Sequence, residues 1–271
     1  MRRDGQGRAE HGQQVGQSGL PAVSRFGQGV DRRLFIPDRI FWFPPDADLT
    51  PVDRADDPGL WERLVAADDA VITQIYHDRN GIAFPSSSSS APFLMRAMIN
   101  ALELEPGMKV LEIGAGTGYN AALLADAGAE VVTIEIDAAL AAAASAALDG
   151  AGFADRVTVL TGDGEDGAPR HAPFDRVIVT AAARTIPYRW VEQTRDGGRL
   201  VVPYSGPERV GALLVLDVAD GTARGRAVGD ARFMPLRGQR QTQGVVQAEP
   251  AGPLDRLNVT VTSQGQTVAF E

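Results

Sequence analysis

The stretch Val110-Leu111-Glu112-Ile113-Gly114-Ala115-Gly116-Thr117-Gly118 runs an apolar strand straight into glycines at every second position, and then into a helix. Such a loop lets a ligand approach the main chain closely. The spacing is G-x-G-x-G with an acid ahead of it, whereas a dinucleotide fingerprint reads G-x-G-x-x-G and sets a pyrophosphate against the helix N-terminus. An acid there repels a diphosphate, but Glu112 can neutralise or orient a cationic ligand such as the sulfonium and α-amino group of S-adenosylmethionine (SAM). Gly114 and Gly116 then belong to the cofactor site. Taken alone, the same glycines could make only a tight strand-to-helix turn.

Two more strand ends carry acids. Thr133-Ile134-Glu135-Ile136-Asp137 puts Glu135 about 20 residues beyond Gly114, where Rossmann-like folds set a carboxylate on the ribose hydroxyls. Glu135 and its neighbour Ile136 are therefore assigned to the cofactor. Capping of the next helix is the other use of these acids, above all for Asp137. Leu160-Thr161-Gly162-Asp163-Gly164 places Asp163 between glycines, suited to the exocyclic amine of adenine, or else to a plain Asp-Gly turn.

These loops need strands and helices that alternate. The pattern predicts strands over 109–113, 130–136, 157–161, 176–180 and 199–203, with helices over 118–127, 138–149 and 187–194. That order implies an α/β, Rossmann-like fold, a doubly wound and mainly parallel sheet whose ligand sits beyond the carboxyl ends of the strands. Segments 210–217, 222–227 and 257–270 read as β hairpins extending the sheet. Ahead of the core, the apolar cluster at 34–43 and a short helix around Trp61 suggest an N-terminal cap. The run Ser86 to Ser90 reads as a low-complexity loop, with Ser90 placed to cap a helix that has Pro92 in its first turn. The expected organisation is a disordered leader over 1–30, a cap with a serine-rich substrate loop over 31–91, a SAM-binding core over 92–205, and C-terminal strands and tail over 206–271.

Composition narrows the chemistry. The 271 residues contain no Cys, which excludes disulfides, thiolate nucleophiles and Cys-based zinc sites, and three scattered His make a metal site improbable. A net charge of −9 disfavours nucleic acid as a partner. The longest nearly apolar run, 138–148, is too short to span a bilayer, and without a secretory signal the cytoplasm is the expected compartment. Oligomeric state is not legible.

Further motifs carry a resemblance. Ser90-Ala91-Pro92, Leu104-Glu105-Pro106-Gly107-Met108-Lys109, Gly162-Asp163-Gly164, Ala172-Pro173-Phe174-Asp175, Gly197-Gly198-Arg199-Leu200 and Arg232-Phe233-Met234-Pro235-Leu236 resemble, in that order, the protein-L-isoaspartate O-methyltransferase family. The resemblance implies SAM as cofactor and an Asp- or isoAsp-containing peptide or protein as substrate. It also implies methylation of a carboxylate whose ester collapses to a succinimide. By the same resemblance Gly114 and Gly116 contact SAM, Glu135 binds ribose, and Asp163 with Gly164 lies near adenine. Thr180, in Val179-Thr180-Ala181-Ala182, belongs to the wall beside the point of transfer, and Ser90 lies in the substrate-carboxylate loop with Ser88 and Ser89 beside it. The family usually reads Thr-Ile-Ser where this chain has only serine. The serine run, Gly118-Tyr119-Asn120 and the stretch 184–194 resemble a bacterial subgroup that methylates an ordinary Asp in ribosomally made peptide natural products. Arg184, Arg189, Arg237 and Arg240 could attract an Asp-rich peptide. Repair of damaged proteins, a small-molecule acceptor, and a noncatalytic SAM-binding module are the alternatives.

Overall fold

In the computed structural model, the described residues are 29–45, 47–207, 210–240 and 252–271. The expected disordered leader falls almost wholly outside them. The cap is a four-stranded antiparallel sheet formed by β1 (Arg39–Trp42), β2 (Thr50–Asp53), β3 (Val71–His77) and β4 (Ala83–Ser89), in the order β2-β1-β3-β4. Helix α1 (Pro58–Ala66) covers it, started by Pro58 in its first turn and by Asp57, whose side chain accepts the Leu60 N–H at 2.8 Å. Trp61 and Ile40 are fully buried between helix and sheet, and the Trp61 indole N–H donates to the Pro37 carbonyl at 3.1 Å.

The serine run is a strand, not a loop. Ser87 to Ser89 pair with Gln74 to Val71 of β3, so the ladder supplied by the Val, Ile and Thr of β3 overrides the weak strand preference of serine. Ser90 does not cap the next helix, α2 (Pro92–Ala101). Its N-cap is Ala91, which makes no side-chain bond, and Asp68 from the cap takes the Phe93 N–H instead at 2.7 Å.

The core follows the predicted alternation: β5 (Lys109–Ile113), α3 (Tyr119–Asp126), β6 (Glu130–Glu135), α4 (Ala138–Gly150), β7 (Val157–Thr161), β8 (Phe174–Val179), α5 (Tyr188–Glu192) and β9 (Thr194–Ser205). Then β10 (Val210–Ala219), β11 (Thr222–Asp230), β12 (Leu257–Thr262) and β13 (Gly265–Phe270) add on antiparallel, giving one sheet in the order β13-β12-β11-β10-β9-β8-β5-β6-β7. Pairs among β9, β8, β5, β6 and β7 are parallel and the rest antiparallel, so the doubly wound core carries a larger antiparallel share than expected and the sheet is mixed. Apolar clusters fill both faces of this sheet. The strand order reverses between β5 and β8, which is where an α/β sheet opens a crevice at its carboxyl edge. None of the described helices is long and apolar enough to cross a membrane.

Candidate functional site

Gly114 and Thr180 stand at that reversal. Gly114 has φ +95°, a conformation that favours glycine, and a methyl group added to it would lie 2.8 Å from Thr180 Oγ1. The Thr180 hydroxyl donates to the Gly114 carbonyl at 2.6 Å and so fixes the loop. Gly116, at φ +54°, points its N–H at Glu135 Oε2, 3.0 Å away. Its other side meets the serine strand, since an added methyl would lie 3.6 Å from the Ser88 carbonyl oxygen and 3.9 Å from Ser87 Oγ.

Glu135 is buried and also accepts the Asp137 N–H at Oε1, at 3.0 Å. Each of its oxygens keeps a lone pair, enough for two ribose hydroxyls. Asp137 caps α4 through the Ala139 and Leu140 N–H groups, while its second oxygen accepts from Gln74 at 3.2 Å and from Arg237 at 3.1 Å. The Gln74 bond and, behind it, the Arg237 bond hold the Asp137 carboxyl below the usual range. Gln74 also accepts the Ser86 hydroxyl at 2.8 Å, so one network ties cap, core and C-terminal segment together around the crevice. Asp163 is exposed and starts a short turn by accepting the Glu165 N–H at 3.0 Å. A methyl at Gly164 would come within 2.5 Å of Ile113 Cγ2, and its carbonyl takes the buried Trp190 indole N–H at 2.8 Å, so only glycine fits.

One cavity gathers ten of the eleven predicted site residues: Ser88, Ser89, Ser90, Gly114, Gly116, Glu135, Ile136, Asp163, Gly164 and Thr180. Glu112 is the exception and is corrected: it does not line the cavity. It is wholly buried beneath the loop, where Oε1 accepts from Asn120 Nδ2 at 2.7 Å, so it can brace the loop but cannot touch a ligand. Burial raises its pKa to about 7, against the pull of Thr133 and Asn120. The Thr133 hydroxyl lies close enough to act electrostatically but makes no hydrogen bond of good geometry.

Strand alternation sorts the serines. Ser87 and Ser89 are buried, and Ser89 Oγ accepts from Arg32 Nε at 3.3 Å, so Ser89 anchors the strand rather than facing an acceptor. Ser88 and Ser90 are half-buried at the cavity wall, with no side-chain partner among the described residues. Arg32 and Gln74 were invisible in the sequence, because one is half of an Arg-Arg pair and the other lies in an ordinary strand. Arg232 also borders the cavity; its signal was present, as the first residue of the Arg232–Leu236 motif. Of the four arginines expected to form a basic surface, Arg189 is paired with Glu192 and Arg237 with Asp137.

A profile described as protein-L-isoaspartate(D-aspartate) O-methyltransferase (PCMT) matches residues 62–241. The protein-L-isoaspartate O-methyltransferase of Pyrobaculum islandicum is 43% identical over 166 residues, 60% of this chain and 79% of its own. That of Hyperthermus butylicus is 42% identical over 160 residues, 55% of this chain and 66% of its own. Among solved structures, a protein-L-isoaspartate O-methyltransferase superposes with TM-score 0.61 at 22% identity, over 89% of this chain and 80% of that one. A second, from Plasmodium falciparum and in complex with S-adenosyl-L-homocysteine, reaches 0.53 at 18% identity, over 66% and 84%. Both share the fold.

Proposed function

The chain belongs to the protein-L-isoaspartate O-methyltransferase family and is a SAM-dependent methyltransferase, and from that premise we propose that it esterifies the free carboxylate of an isoaspartyl residue in a polypeptide. The observation that carries this is the position of Gly116: its N–H meets the proposed ribose acid Glu135, and its opposite side abuts the serine strand. Cofactor acid and acceptor strand thus meet across one residue without a side chain.

The cavity suits the cofactor by its chemistry. Two glycines at positive φ open the main chain to it, Glu135 offers acceptors for ribose, Asp163 one for adenine, and Ile136 an apolar surface. When bound there, SAM supplies a methyl group on a sulfonium. The acceptor carboxylate, with an ordinary pKa near ~4, is already ionised at neutral pH, so the chain need supply no strong base. Its task is alignment, which can contribute ~7–11 kcal/mol of barrier lowering. Ser88 and Ser90 hold the carboxylate with hydroxyl donors, so that one of its oxygens would face the methyl group that bound SAM would supply. In the ester, attack by the next residue's amide nitrogen expels methanol and closes a succinimide, which water opens.

Incubation of an isoaspartyl peptide with SAM, read by mass spectrometry, should show gain of a methyl group followed by loss of methanol. Absence of both, on this peptide and on a cyclised Asp peptide, would reject the function. The names of the relatives favour repair of isoaspartyl residues in proteins. A second reading, tailoring of an Asp in a constrained ribosomal peptide, rests on the all-serine run Ser86 to Ser90, which resembles that subgroup. In both, the setting is cytoplasmic, and the cap over 31–91 presents the acceptor to a cofactor core over 92–205.

A further inference from the structure

Arg232 and Arg240 stand out in a chain of net charge −9. Both border the cavity, and among the described residues neither has a carboxylate within ion-pair distance, whereas Arg237 between them is held by Asp137. Arg240 lies over the ring of Tyr76, 5.5 Å from its centroid. Tyr76 in turn stacks on Phe84, directly across the β3–β4 ladder, with ring centroids 5.7 Å apart. Both rings are exposed, at 43% and 37%. Phe84 is the second residue of β4, which continues through Ser86–Ser89, so aromatic shelf and cavity wall are one stretch of chain, ~20 Å long at the usual rise of a strand. β4 is also the last strand of its sheet, with no strand on its outer edge among the described residues. The acids at the cavity lie elsewhere: Glu135 and Asp163 face the cofactor half, and Asp69 is beyond the far end of the serine strand.

We propose that this shelf and its two arginines form a docking track for an extended peptide with acidic residues flanking the acceptor, the backbone running along β4 and the flanking carboxylates reaching Arg232 and Arg240. The assignment rests on the peptide substrate proposed above and adds the class of sequence around the acceptor. Charge complementarity selects the occupant: unpaired guanidiniums at the mouth of an otherwise acidic protein attract carboxylates, and the aromatic pair gives the peptide's apolar atoms a surface. Two isolated arginines are too few for a nucleic-acid backbone.

The test uses the full chain with S-adenosyl-L-homocysteine present and three fluorescent isoaspartyl peptides of equal length, with acidic, neutral or basic flanks. Fluorescence anisotropy should show the acidic peptide bound about fivefold more tightly than the neutral one, the size expected of two exposed ion pairs. The difference should narrow as salt rises. In Arg232→Gln/Arg240→Gln the ratio should approach unity, and in Arg232→Glu/Arg240→Glu the basic peptide should bind best, with circular dichroism confirming the fold of each. Equal affinities in the wild type, or a preference that survives both double variants, would overturn the track. Methylation of the same peptides separates the two ideas. A methylated neutral peptide with no flank preference removes the track and keeps the reaction; flank-dependent binding with no methyl gain on any peptide keeps the track and removes the reaction.

Discussion

Nε of Arg32 lies 3.3 Å from Oγ of Ser89, joining residues 57 positions apart in the chain. The same guanidinium donates to the carbonyls of Ser89 at 2.9 Å, Ser90 at 3.0 Å and Asp69 at 2.8 Å, and to those of Val65 and Ala67. It is buried, and burial lowers its pKa, yet the basicity of arginine keeps it charged. A cation coordinated by five carbonyls and one hydroxyl thus sets the height of the strand that presents Ser88 and Ser90.

Arg32→Met should therefore cost about 3 kcal/mol in urea denaturation, because it strands several buried carbonyls. Methyl transfer should fall by about tenfold or more as the serines lose alignment, while calorimetric affinity for S-adenosyl-L-homocysteine changes little. Arg32→Lys should recover part of the stability, since an ammonium keeps the charge but not the planar fork. A variant with lowered stability and undiminished transfer would show that the strand does not need this anchor.

Glu135→Gln tests the cofactor half. The carboxylate accepts two main-chain N–H groups, from Gly116 and Asp137, whereas an amide has one acceptor atom and must turn its own N–H₂ toward the other donor. Loss of a charge-assisted bond at the glycine loop should weaken S-adenosyl-L-homocysteine binding by roughly 10- to 100-fold in calorimetry. Unaltered binding would remove Glu135 from the cofactor site.

The core was legible in the sequence because its signals are local. β5 and β7 match the predicted spans 109–113 and 157–161 residue for residue, since apolar runs and the glycines after them set strand ends without help from elsewhere. Glu135, Asp163 and Gly116 converge because each ends or follows a parallel strand of one sheet. What was missed depends on distant partners. The serine run looked like a loop until β3 gave it a ladder, and Ser90 looked like a cap until Asp68, in the bend between α1 and β3, supplied the bond. Glu112 was read by its charge, but the pleat that alternates side chains across β5 turned it away from the crevice and into Asn120.

That buried acid predicts a pH dependence. Its folded pKa is raised from 4.5 to about 7, mainly by burial, so in the folded chain it keeps a proton over the range in which the unfolded chain releases one. Its contribution to stability is therefore greatest below about pH 4.5, falls as pH rises toward 7, and levels off above that. In Glu112→Gln the slope disappears: an amide still accepts from Asn120 and turns a donor toward the unpartnered oxygens of Asn120 and Thr133. Relative to wild type, the variant should gain up to about 3 kcal/mol between about pH 5 and about pH 8 in urea denaturation. A parallel pH profile for both proteins would place an ionised Glu112 in the folded chain.

The last prediction concerns which hydroxyls face the acceptor. Burial alternates along the run, leaving Ser88 and Ser90 half-buried at the cavity while the Ser89 hydroxyl is held by Arg32, so substitutions at neighbouring positions should fail in different ways. Ser88→Ala and Ser90→Ala should each lower kcat/KM by about tenfold, the loss of one hydrogen bond to a charged group, with melting temperature and S-adenosyl-L-homocysteine affinity close to wild type. Ser89→Ala should instead cost about 1 kcal/mol of stability and less activity, because Arg32 still holds the Ser89 and Ser90 carbonyls. Were Ser89→Ala the most damaging to turnover at unchanged stability, its hydroxyl would have to point at the carboxylate, and the strand would sit one residue out of the register described.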